Sequence, residues 1–115
     1  MGAKYRTVVE TTEFVRAASA AGMDEDDREA LIDLLSLDPD AGTSLGGGLH
    51  KIRFARRGEG KSGGYRVLYF YREEDLPIVL LTAFAKNQKS NITGRERSDL
   101  IQLCNDLAEH YRSRS

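Results

Sequence analysis

The chain has 115 residues, a formal net charge of −1, 40% hydrophobic residues and one cysteine. This length predicts a single domain over residues 1–115 with a modest core, and the lone Cys104 excludes an internal disulfide. No segment approaches the ~20 apolar residues of a membrane span and no apolar stretch follows a basic start as in a signal peptide, so a cytoplasmic protein is expected.

In chain order, Tyr5 to Glu10 alternates in character and predicts a first, edge strand. Thr11 or Thr12 then caps a short helix through Ala20, with Glu13 in its first turn and Gly22 as its stop. Asp24 caps a second helix to about Leu35, with Ala30, Leu31, Leu34 and Leu35 as its apolar stripe. Together these form a helical hairpin. Asp38-Pro39-Asp40-Ala41-Gly42 and Gly46-Gly47-Gly48 mark a loop leading into the sheet.

Leu49 to Arg57 and Tyr65 to Arg72 read as two strands of a hairpin broken by a glycine-rich tip, Gly58 to Gly64. After the turn at Glu73 to Pro77, the nearly continuous apolar run Ile78 to Ala85 reads as a central strand buried on both faces. Thr93-Gly94-Arg95-Glu96 is a capping box opening a last helix. That helix gathers Leu100, Ile101, Cys104, Leu107, Ala108 and Tyr111 on one face, so Cys104 is expected to be a small core residue. The expected fold class is α+β: a small twisted antiparallel sheet with an N-terminal helical hairpin and a C-terminal helix.

Charge is distributed unevenly along this framework. Residues 1–48 hold four cations against ten carboxylates, and residues 49–97 hold eleven cations against five. Within the hairpin from Leu49 to Arg72, seven cations stand against Glu59 alone. Such a surface suits a polyanion. In the first strand of the hairpin, Lys51, Arg53, Ala55 and Arg57 share one face while Ile52 and Phe54 point to the other. Arg66 shares a face with Leu68 and Phe70, where a cation needs a partner or a ligand. Lys86 ends the apolar strand and begins the loop Asn87-Gln88-Lys89-Ser90-Asn91. Tyr65, Tyr69 and Tyr71 fall on one strand face. Core packing is their default role and base stacking the alternative.

Gly60-Lys61-Ser62 imitates the end of a phosphate-binding loop. The full motif needs a glycine where Ala55 stands and must open a helix, whereas a strand follows here. Nucleotide hydrolysis is therefore not expected. His50, His110 and Cys104 show no metal-ligand spacing, and neither a metal nor another cofactor is assigned.

The order of these pieces resembles the RelE/ParE superfamily of toxins from type II toxin–antitoxin pairs. The resemblance rests on Gly48-Leu49-His50-Lys51-Ile52-Arg53-Phe54, on Gly60-Lys61-Ser62-Gly63-Gly64-Tyr65-Arg66-Val67-Leu68-Tyr69 and on Ala83-Phe84-Ala85-Lys86-Asn87, and spans about residues 5 to 111. The Asp38-Pro39-Asp40-Ala41-Gly42 turn and the helical N-terminal stretch look closest to the HigB-like branch. The resemblance implies a microbial-ribonuclease-like fold and cleavage of messenger RNA in the ribosomal A site. It also implies neutralisation by a cognate antitoxin, often a helix-turn-helix DNA-binding protein, so that DNA is met only through the antitoxin complex.

On that resemblance the catalytic set is Lys51, Arg53, Arg66 and Lys86. Arg66 would clamp the scissile phosphate, Lys51 and Arg53 would stabilise charge with one acting as base or acid, and Lys86 would hold the phosphate or protonate the leaving group. Arg56, Arg57, Lys61 and Lys89 would bind the RNA backbone. Relatives often place an arginine after the lysine that closes the last strand, where this chain has Asn87, and often carry a C-terminal tyrosine that has no counterpart at a matching place here. The competing readings are a ParE-type inhibitor of DNA gyrase and a non-catalytic RNA- or protein-binding module on the same scaffold.

Overall fold

A computed structural model describes residues 6–55 and 64–113. Its elements are β1 (Val8–Glu10), α1 (Thr12–Ala21), α2 (Glu25–Leu37), β2 (Thr43–Gly46), β3 (Leu49–Phe54), β4 (Tyr65–Phe70), β5 (Ile78–Ala85) and α3 (Gly94–Ser113). Five strands form one sheet in the order β1-β5-β4-β3-β2. The α+β class is as expected, with two refinements. The sheet is mixed, because β1 pairs parallel to β5, and β4 rather than β5 lies at its middle.

Local chemistry sets the element ends. Thr11 Oγ1 accepts the Phe14 amide and Gly22 closes α1 in the left-handed region. Asp24 and Asp27 form a reciprocal capping box at the start of α2, which pattern reading did not anticipate. The apolar stripe of α2 is also displaced. Leu31 and Leu35 are buried, whereas Ala30 is exposed and Leu34 is 39% exposed. Arg28, pairing with Glu10 of β1 at 3.5 Å, fixes the helix in this rotation.

The segment expected to be a plain loop contains β2. Gly46 pairs with Leu49, leaving Gly47 and Gly48 as a two-residue turn with φ of +63° and +91°. Two successive positive φ values make a primed hairpin turn, which glycine alone adopts freely.

Two apolar clusters sandwich the sheet. Phe14, Ala18, Leu31 and Leu35 of the α1–α2 hairpin pack on Ile52, Val67, Tyr69 and Leu80. On the other face Cys104 and Ala108 of α3 pack on Leu49, Leu68, Phe70 and Val79. Burial pushes the Cys104 thiol up to about 11. No described helix is long and apolar enough to cross a membrane.

Candidate functional site

The face of the sheet that α3 covers holds a row of cations beyond the helix. On β3, Leu49 lies under α3, and the two-residue period of the strand brings Lys51 and Arg53 to the same side. On β4, Leu68 and Phe70 lie under α3, and Arg66 continues their row outward. The ladder sets Arg53 directly opposite Arg66, and Lys51 opposite Leu68. Arg66 in turn stands opposite Phe84 of β5.

An irregularity in β5 decides which way the residues leading to Lys86 face. The register between β4 and β5 shifts at Leu68/Tyr69, where Leu81 is an extra residue on β5. Before the bulge, Val79 and Leu81 face α3 and Leu80 faces the helical hairpin; after it, Phe84 faces α3 and Ala83 and Ala85 face the hairpin. A bulge reverses which face the following residues present. Lys86, two residues past Phe84, is exposed and donates its amide to the Gly64 carbonyl at 3.3 Å. The ladder thus brings Lys51, Arg53 and Arg66 to one face, and Lys86 follows immediately after β5.

Among the described residues, Arg6, Arg16, Arg28, Lys89 and Arg112 have carboxylate partners. Lys51 instead donates to Asn91 Oδ1 at 3.3 Å, and Arg66 to the carbonyl of Tyr65 at 3.4 Å. Lys51 also lines a cleft of about 200 Å³ with Asn91, Thr93 and Arg97. Asn91 and Arg97 escaped sequence reasoning. They lie about 40 residues from Lys51 in the chain, and only the folding of α3 over the sheet brings them near it.

Arg56, Arg57 and Lys61 fall outside the described residues. Lys89 bonds to Glu96 and sits 5.5 Å over the Phe84 ring, at the start of α3. Hydrogen bonding to Lys89, then to the Thr93 amide, holds the Glu96 carboxyl below its usual range. Tyr65 and Tyr69 are core residues, their hydroxyls donating to the carbonyls of Gly22 and Pro39, so neither ring is open for stacking. His50 points away from the cations, is buried, and stacks on Tyr69 with ring centroids 5.1 Å apart.

A comparison with known families adds a decisive match. Residues 6–114 fit the family described as the RelE toxin of the RelE/RelB toxin–antitoxin system. The chain is a RelE-family toxin. The match covers every described strand and helix, and Lys51, Arg53, Arg66 and Lys86 lie within it. A cognate antitoxin of the type II kind is the partner that membership brings.

Proposed function

We propose that this RelE-family toxin is an endoribonuclease that cuts messenger RNA held in the ribosome, using the cations at the tip of its sheet. The observation that carries this reading is the placement of Arg53 and Arg66 directly opposite each other. Two guanidinium groups so placed suit the oxygens of one phosphate. The Asp38-Pro39-Asp40-Ala41-Gly42 turn supports a HigB-like member.

Cleavage transfers the phosphate within the strand. The 2′-hydroxyl loses its proton, its oxygen bonds to the adjacent phosphorus, and the bond to the 5′-oxygen breaks. A 2′,3′-cyclic phosphate and a protonated 5′-hydroxyl result, and no water is consumed. Arg66, with its planar fork, clamps the non-bridging oxygens. Arg53 offsets the charge that grows on phosphorus, and Lys51, acting as the free amine, accepts the 2′ proton. Lys86 delivers a proton to the departing oxygen. Arg56, Arg57 and Lys61 guide the RNA backbone, while Lys89 is engaged by Glu96. With no histidine or carboxylate among Lys51, Arg53, Arg66 and Lys86, the set depends on the ribosome to align the attacking hydroxyl. The antitoxin, on this reading a helix-turn-helix DNA-binding protein, restrains the activity.

Primer-extension mapping on a defined message in a purified translation system, with and without ribosomes, tests the proposal. Discrete cuts are expected only on translated message. Arg66→Ala should lower cleavage at least ~100-fold, as loss of one charge-stabilising donor does, with circular dichroism unchanged. An intact message where a nuclease control cuts sinks the proposal, and full cleavage by a folded Arg66→Ala protein removes Arg66 from it.

A further inference from the structure

Past Phe84, toward the β1 edge of the sheet, a groove of about 380 Å³ runs between the first turns of α3, the start of α1 and the end of β5. Its floor is apolar, formed by Leu81, Phe84, Ile92, Leu100 and Leu103. Leu103 is 40% exposed, although it sits mid-helix beside this floor. The groove exists because β1 is short. β1 pairs with β5 only at Ile78–Leu80, while β5 runs on to Ala85. From Thr82 onward that edge of the sheet has no neighbouring strand among the described residues, and Thr11 turns the chain away by bonding to the Leu80 carbonyl.

The rim is acidic. Glu13, Glu96 and Asp99 border the groove against the single cation Lys89, which Glu96 already engages. Arg16 engages Glu13 at the surface, and among the described residues Asp99 has no ion-pair partner. An apolar trough edged by carboxylates repels RNA. It also disfavours a second copy seated through the same patch, since a two-fold contact would bring the acidic rims together. A peptide segment with two or three apolar side chains flanked by lysine or arginine fits it.

We infer that this groove is the docking site for a basic, apolar segment of the cognate antitoxin. The inference rests on the family's pairing with an antitoxin and stands apart from the RNA-cleavage reading. The groove gives the segment a hydrophobic floor, where anchors carry most of the affinity, and the rim sets its charge. Leu103 and Asp99 take no part in the proposed cleavage, so substitutions there separate the two functions.

The test is calorimetric titration of full-length toxin with the antitoxin encoded by the adjoining reading frame. Leu103→Arg should raise Kd at least tenfold. Asp99→Lys should raise it at least threefold and flatten its dependence on salt. Both exposed substitutions should leave circular dichroism and the toxicity of the free protein unchanged. Wild-type Kd in both variants overturns the groove as the docking site while leaving the cleavage reading intact. Weakened binding by variants of a toxin that cuts no message upholds the groove and overturns the cleavage reading. Failure of the antitoxin to bind wild-type toxin overturns the inference. So does a wild-type toxin that sediments as a dimer and becomes monomeric with Leu103→Arg, because a second copy would then fill the groove.

Discussion

Tyr69 ties the loop after α2 to the sheet. Its hydroxyl donates to the Pro39 carbonyl at 2.7 Å and accepts the Gly42 amide at 3.1 Å. Gly42 must be glycine, since a Cβ there would lie 2.7 Å from the Lys51 carbonyl and 2.8 Å from the Tyr69 hydroxyl. Tyr69→Phe should cost about 1–3 kcal/mol in urea unfolding, the penalty for leaving buried partners unpaired. Burial lifts the Tyr69 hydroxyl to about 12 from an ordinary 10.0. The folded state therefore holds a proton that the unfolded state releases between those values, and stability falls as pH rises from 10 toward 12. That alkaline component should vanish from the unfolding profile of Tyr69→Phe. The tyrosine row was legible in the sequence as core, because three aromatics on one face of a strand seek burial. The loop that satisfies Tyr69 was not legible, because hydrogen bonds between distant segments leave no periodic trace.

At the scale of elements, strong local signals translated well and register did not. Gly22, Asp24 and the Thr93–Glu96 box stop or start helices where expected, because a cap is decided by three or four neighbouring residues. Thr93→Ala should lower stability by about 1 kcal/mol, read as a fall in Tm. It should also loosen Glu96, whose oxygen bonds to the Thr93 amide at 2.8 Å. β2 was missed although Gly47-Gly48 sits between Leu45 and Leu49, a hairpin signal hidden within a longer glycine run. The bulge at Leu81 was invisible for a different reason. A strand buried on both faces has no polar alternation to break, so the reversal that turns Phe84 toward α3 leaves no mark in the hydropathy pattern. The cations of β3 and β4 were readable one by one, but only the ladder sets Arg53 against Arg66.

Across the whole molecule, the acidic N-terminal half forms the helical hairpin on one side of the sheet and the basic strands carry their cations to the other. That division was plain in the sequence, whereas the acidic groove beside α3 was not, because Glu13 and Asp99 meet only in the folded chain. The pairing of β1 with β5 bears on how such a toxin is made. Synthesis is vectorial, and β1 emerges first but docks on a strand made nearly 70 residues later; the Ile78 amide bonds to Thr7 and the Thr11 amide to Leu80. Nascent chains can close the α1–α2 hairpin early, since local contacts form fast, but the sheet waits on long-range pairing. Lys86 and α3 come later still. Ribosome-bound chains stalled after Pro77 should be readily digested by a probing protease, while chains carried past Ser113 on a linker that clears the ribosome should resist it. Equal resistance at both lengths would show that the sheet closes without β5. In a toxin assembled this way β1 has no partner strand until β5 is made, so the face that carries Lys51, Arg53 and Arg66 gains its full backing late in the order of synthesis.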